Sequence, residues 1–248
     1  MSNLIVDVKD DVALIRLDNT VINSLSLELF TELNETLGRL NQEVRGLVMA
    51  GGTKFFSMGW QLPTLLTYDR TRMTEFFTAF NQACLNLYAF PAPTATAMQG
   101  HAVAGGCVLA IMTDYRFIAA GKPKMGLNEV LIGLPVPYLT DMVLRQIVNN
   151  RTANDIVCLG EFIGPDQALS VGLVDEVLPV EQVEARALEK IGAMAALNQA
   201  AQRAQKAHRT EAVRFFYERK GREFDQIFLD AFFRPEAREL LQKTAEKF

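Results

Sequence analysis

Gly100-His101-Ala102-Val103-Ala104-Gly105-Gly106-Cys107-Val108-Leu109 runs from small residues straight into an apolar stretch, Ala102 to Met112, that is eleven residues long. A membrane span needs about 18–20 such residues, so this is a buried helix, expected over Ala102–Thr113. With no side chain to cover them, the first N–H groups of such a helix can hold a negative oxygen with help from the helix dipole. The bland alternative is close packing that tolerates only glycine. His101 reads equally as a structural histidine or a ligand contact.

Working outward, Thr94–Gln99 and Tyr115–Ala119 read as strands on either side of this helix. Upstream, Arg45–Ala50 is a short apolar strand that ends at Gly51-Gly52. It opens a second glycine-rich stretch through Trp60-Gln61-Leu62, at a strand's C-terminal edge where α/β ligand sites form. A plain strand-to-helix loop is the competing reading. Asn3–Val8 and Val12–Leu17 form a β-hairpin around Lys9-Asp10-Asp11. Leu25, Leu29, Leu33, Leu37 and Leu40 recur at helical spacing behind a cap at Ser24 or Ser26, and a further helix covers Thr71–Tyr88. The order β-β-α-β-α-β-α-β is that of an α/β fold with helix-covered sheets.

A third stretch, Met125 to Tyr138, contains one charge, Glu129. Either it lies on a solvent-facing edge or it is buried with a raised pKa, as suits a general base. Beyond about residue 138 helical patterns dominate. A strand-like segment, Leu173–Leu178, interrupts them, and the chain is almost wholly helical from Glu181 onward. Six of the sixteen phenylalanines fall between Phe215 and Phe233. Phe224, Phe228 and Phe232 share a helix face, which needs either the chain's own body or another subunit against it.

Composition excludes other classes. At 248 residues, 49% hydrophobic and 22% charged, the chain has the make-up of a globular protein with a large core. A net charge of −4 supplies no field for nucleic acid. Cys84, Cys107 and Cys158 are odd in number and set among apolar residues, so they are expected to be buried thiols in a reducing compartment. Only two histidines are present, and no Cys or His pair has metal-ligand spacing. The start, MSNLIVDVKDD, reads as a strand and not as a leader peptide, which favours the cytoplasm while leaving the mitochondrial matrix open.

The glycine-rich stretches, in this order, resemble the crotonase superfamily of enoyl-CoA hydratases and isomerases. Phe56-Ser57-Met58-Gly59-Trp60-Gln61-Leu62 matches its Phe-Ser/Ala-Ala-Gly-any-Asp-Leu signature, and Gly100 to Leu109 its Gly-any-Ala-any-Gly-Gly-Gly-Cys-Glu-Leu signature. The resemblance runs from about residue 3 to the C-terminus. Asn23-Ser24-Leu25-Ser26-Leu27-Glu28, Asp114-Tyr115-Arg116, Gly126-Leu127-Asn128-Glu129 and Gln167 to Asp175 look most like the mitochondrial Δ3,Δ2-enoyl-CoA isomerases.

The resemblance implies a spiral of ββα units over residues 1–195 carrying an acyl-CoA site. It also implies a helical region over 196–248 that builds a homotrimer or a hexamer. Backbone N–H groups of Trp60 and Gly105 would form an oxyanion hole, with Glu129 as the catalytic carboxylate. Backbone near Ser57, Met58 and Gly59, and near Asn23, Ser24 and Leu25, would line the adenine and pantetheine path; Ala104, Val108, Asn128 and Leu134 would also meet substrate. No metal or separate cofactor is implied, coenzyme A being part of the substrate, and neither nucleic acid nor membrane is an expected partner.

Three departures matter. Val108 stands where hydratases carry a glutamate, whereas Glu129 matches their second one. Hydration uses two carboxylates on water; moving a double bond from C3–C4 to C2–C3 needs one base and no water. Gln61 replaces the usual aspartate and Ala104 a glycine. The expected activity is therefore Δ3,Δ2-enoyl-CoA isomerisation in fatty acid β-oxidation. The competing readings are a hydratase, thioesterase or decarboxylase of the same fold, or a non-catalytic acyl-CoA- or RNA-binding relative.

Overall fold

The first hairpin pairs β1 (Leu4–Lys9) with β2 (Val12–Leu17) antiparallel, Leu4 opposite Leu17 and Lys9 opposite Val12. Its two turn residues, Asp10 and Asp11, both have positive φ (51° and 64°), which aspartate tolerates in a tight hairpin. The computed structural model describes residues 2–246. Helix α1 (Leu27–Glu43) starts at Ser26, whose side chain accepts the Leu29 N–H at 3.2 Å, and buries Leu29, Leu33, Leu37 and Leu40. Leu25, counted with that leucine series, lies before the cap and bridges to Trp60 instead.

The chain continues through β3 (Gly46–Ala50), β4 (Phe55–Ser57), α2 (Leu62–Leu65), α3 (Arg70–Tyr88), β5 (Thr94–Met98), β6 (His101–Val103), α4 (Gly105–Ile111), β7 (Tyr115–Ala119) and β8 (Met125–Gly126). A 3-10 turn (Glu129–Ile132) follows, then α5 (Tyr138–Ile147), α6 (Asn150–Leu159), α7 (Pro165–Ser170), β9 (Glu176–Leu178), α8 (Val183–Ala195), α9 (Gln199–Phe232) and α10 (Pro235–Ala245). None of the described helices is long and apolar enough to cross a membrane.

Two sheets result. The larger has the order β1-β2-β3-β5-β7-β9, parallel after the first hairpin; the smaller, β4-β6-β8, is wholly parallel. Parallel strands need cover on both faces. Val48, Ala50, Ala95, Ala97 and Phe117 meet Val183, Ala187, Ile191 and Ala195 of α8, which recur every fourth residue on one helix face. The opposite face, with Leu47, Met49 and Met98, belongs to the main core with α1, α3 and α4. Lys206 of α9 reaches Asp114 at 2.7 Å, tying the long helix to the turn before β7.

Several expectations are corrected. Ala102 and Val103 are not helical: they lie in β6, and α4 begins only at Gly105. The eleven-residue apolar run is split because Ala102 and Val103 pair with Met125 and Gly126 of β8. Within Leu173–Leu178 only Glu176–Leu178 is strand, because the Leu173 and Val174 N–H groups turn back to Ala168 O. Cys84 and Cys107 are buried as expected, but Cys158, near the end of α6, is exposed. The phenylalanine face packs on the chain's own body, two of its rings fully and one in part. Phe228 and Phe232 are buried in the chain's own core, whereas Phe224 stacks on Tyr138 at 4.1 Å and stays 38% exposed.

Candidate active site

The small sheet sets the site, because β4, β6 and β8 deliver three consecutive turns to one end. After β4, the Ser57 hydroxyl donates to Asn23 O at 2.7 Å and accepts the Gly59 N–H at 3.1 Å. Asn23, at φ +48°, donates from Nδ2 to Phe56 O at 3.2 Å. These bonds lock the loop before α1 against the β4 turn. Leu25 N–H then donates to Gly59 O at 2.8 Å and Gln61 N–H to Leu25 O at 3.0 Å. In that bridge the peptide groups on either side of Trp60 face Leu25, so Trp60's own N–H points the other way. Among the described residues it meets no acceptor.

The second turn follows β6. Ala104 N–H donates to Gly126 O at 2.9 Å, and Ala104 O accepts the Val108 N–H at 2.9 Å. Between them the Gly105 N–H opens α4 with no acceptor among the described residues. The two turns touch: a Cβ on Gly59, whose φ is +88°, would lie 3.1 Å from Gly105 N. On Gly106 it would lie 2.3 Å from Ser57 O, a backbone atom that cannot swing away. The glycines thus serve close approach of the two turns, whose residues Trp60 and Gly105 line one cavity.

The third turn carries Glu129, first residue of the 3-10 turn, and resolves the ambiguity in its reading. It is buried at 6% exposure, and Oε2 has no hydrogen-bond partner among the described residues. Burial pushes its pKa up to about 7, since an ionised carboxylate loses its hydration there.

A cavity of about 50 Å³ joins these groups. It is lined by Met58, Trp60, Ala104, Gly105, Asn128, Glu129 and Leu134 of the sequence-derived set. Asn23, Ser24, Leu25, Ser57 and Gly59 stand behind it as the loop that holds Trp60. Val108, fully buried in α4, is not part of the lining. Four lining residues were not singled out: Leu62, Val103, Ile132 and Thr244. The first three sit within the glycine-rich or Glu129 stretches; Thr244, brought in by α10, carries no signal in its surroundings. His101 is the structural histidine, at the far end of β6, where Nδ1 accepts the Lys124 N–H at 3.1 Å.

Two free N–H donors and one unpartnered carboxylate around a mostly apolar cavity can hold an oxyanion and move a proton beside it. A spiral of short parallel strands presenting such a site at the start of a buried helix defines the crotonase class. Residues 7–248 match the family model described as enoyl-CoA hydratase/isomerase, and the chain belongs to that family. It is 34% identical to the mouse mitochondrial enoyl-CoA delta isomerase 1 over 181 residues, which is 71% of this chain and 62% of the mouse protein. The human mitochondrial delta3-delta2-enoyl-CoA isomerase superposes with a TM-score of 0.94 at 29% identity, covering 99% of this chain and 97% of that one. An enoyl-CoA hydratase from Bacillus halodurans shares the fold, with a TM-score of 0.89 at 20% identity over 98% of this chain and 100% of that one.

Proposed function

We propose that the chain isomerises 3-enoyl-CoA thioesters to trans-2-enoyl-CoA, with Glu129 as the only base, in the degradation of unsaturated fatty acids. The thioester oxygen sits between the Trp60 and Gly105 N–H groups. Glu129 takes a proton from C2, the electron pair shifts into a dienolate whose oxygen those two donors stabilise, and the same carboxyl returns the proton to C4. The C3–C4 double bond is lost, the C2–C3 double bond forms, and no atom is gained. A base with a pKa near the working pH suits both halves of this transfer.

The observation that carries this reading is the single carboxylate. Among the described residues Glu129 is the one acid lining the cavity, and Val108 stands where the hydratase signature carries the glutamate that follows its cysteine. The names of the mouse and human relatives support it. Asn23, Ser24, Leu25, Ser57, Met58 and Gly59 take the coenzyme A path, and Asn128 and Leu134 the acyl side. Residues 1–195 form the catalytic unit and 196–248 the helical region through which copies associate, with Thr244 reaching back into the cavity. These steps call on no group beyond the chain and the thioester.

Incubating the protein separately with 3-enoyl-CoA and 2-enoyl-CoA, with product identification, tests the proposal. The expected result is 2-enoyl-CoA from the first and no 3-hydroxyacyl-CoA from the second. Hydration of 2-enoyl-CoA, or release of free coenzyme A, would replace the isomerase by another reaction of this fold.

A further inference from the structure

We infer that the Trp60 side chain is the rigid wall that limits acyl chain length and makes this a short-chain site, an inference that rests on the acyl-CoA reading above. Trp60 serves the site twice: its backbone N–H faces the thioester oxygen, and its indole bounds the space beyond. The cavity that Glu129 and Gly105 line has a volume of about 50 Å³. At roughly 10–15 Å³ for each water-sized group, it admits on the order of four acyl carbons, little more than the reacting atoms themselves.

The lining is not uniform in its ability to yield. Leu62, Ile132 and Leu134 are aliphatic and can change rotamer for a further carbon or two. Trp60 cannot. Its ring is met edge-on by Phe76 at 5.0 Å, Phe80 at 5.2 Å, Phe228 at 5.5 Å and Phe77 at 6.0 Å. Phe77 and Phe228 are themselves stacked at 4.3 Å, so the cage is closed on that side. On the other side the indole edge lies against Gly105. Its Nε1 is buried with no partner among the described residues, so the ring is held by packing and not by a hydrogen bond that substrate might break. A smaller side chain at this position keeps the backbone N–H and opens the space the indole fills.

The test compares kcat/KM for 3-hexenoyl-CoA and 3-dodecenoyl-CoA in wild type, Trp60→Leu and Trp60→Phe. Wild type is expected to favour the short substrate by about tenfold or more, on the scale at which apolar pockets discriminate by methylenes. Trp60→Leu should reduce that ratio by about tenfold, with Trp60→Phe between. Calorimetric binding of hexanoyl-CoA and dodecanoyl-CoA runs in parallel. Because Trp60 is the sequence's only tryptophan, quenching of intrinsic fluorescence reports chain entry in wild type. Absence of turnover on every 3-enoyl-CoA, with hexanoyl-CoA still bound more tightly and that preference lost in Trp60→Leu, would sink the isomerase reading and sustain the length rule. Equal handling of both lengths by wild type, or an unchanged ratio in both variants, would overturn it. If Trp60→Leu does not fold, Trp60→Phe, which keeps a ring inside the cage, decides.

Discussion

The Trp60 indole occupies the place that a side chain on Gly105 would need. A Cβ built on Gly105 would lie 2.8 Å from Trp60 Cδ1 and 3.0 Å from Nε1, with Leu25 Cδ1 at 3.1 Å. Because four phenylalanine rings cage the indole, it cannot step aside. The residue that presents one free N–H therefore dictates that the residue presenting the other be glycine.

Gly105→Val should push the start of α4 away from the caged indole and so separate the two donors. Turnover is expected to fall by roughly 10²–10³, the loss seen when one oxyanion donor is removed. Circular dichroism should show retained secondary structure. Activity near that of wild type would place the oxyanion elsewhere.

Glu129→Gln keeps shape and polarity but accepts no proton, so turnover of 3-enoyl-CoA should fall by about 10²–10⁴ while acyl-CoA binding survives. In wild type, kcat/KM should rise with pH through about 7, where burial has moved this carboxyl, and level off above it. Stability runs the other way. The folded protein holds the proton more tightly than the unfolded chain, whose carboxyl keeps its ordinary value of 4.5. The native state therefore loses stability between pH of about 4.5 and 7, on the order of 3 kcal/mol in all. Thermal unfolding at pH 8 should show Glu129→Gln more stable than wild type, with the gap closing towards pH 4.5. An equal gap at both pH values would show that Glu129 does not carry this proton.

Ala104 has φ +46° and ψ −118°, a conformation in which an L side chain is strained. Glycine relieves that strain, of order 1–3 kcal/mol, but loses roughly 0.5–1 kcal/mol to its freer unfolded chain. Ala104→Gly should therefore stabilise the protein by about 1 kcal/mol, or about 2–4 °C in Tm for a chain of this size. A lowered Tm would mean that the Ala104 methyl packs well enough to outweigh its backbone.

Phe215, Phe216 and Ile227 of α9 are 43%, 54% and 50% exposed, an apolar surface left over after Phe228 and Phe232 turn inward. Association through this helix should give a light-scattering mass of three or six chains. Phe216→Glu should shift that mass downward. A monomer near 27.6 kDa in the wild type would defeat the trimer or hexamer proposal.

Long periodic elements were legible in the residues. The hairpin around Lys9-Asp10-Asp11 and the leucine series of α1 from Leu29 to Leu40 could be read from local spacing, and the structure keeps both. Strands β4, β6 and β8, of two or three residues, have no period to read, so β6 was absorbed into the helix that follows it. Their partners, not their own residues, make them strands.

The candidate site divides in the same way. Glycines 59, 105 and 106 are visible as a pattern, and their motif order alone carried the family. Whether Glu129 faced solvent or core was open in the sequence, because one acid in an uncharged run suits both; packing around the 3-10 turn decided it. Thr244, at the far end of the chain, reaches the cavity only through the docking of α10. The sequence by itself determined the α/β order and the leucine face of α1, because these depend on neighbours a few residues apart. Only the tertiary structure decided that Glu129 is dry, that two N–H groups go unpaired beside it, and that Trp60 is wedged among four rings. Desolvation, hydrogen-bond satisfaction and steric locking all depend on groups distant in the chain and close in space.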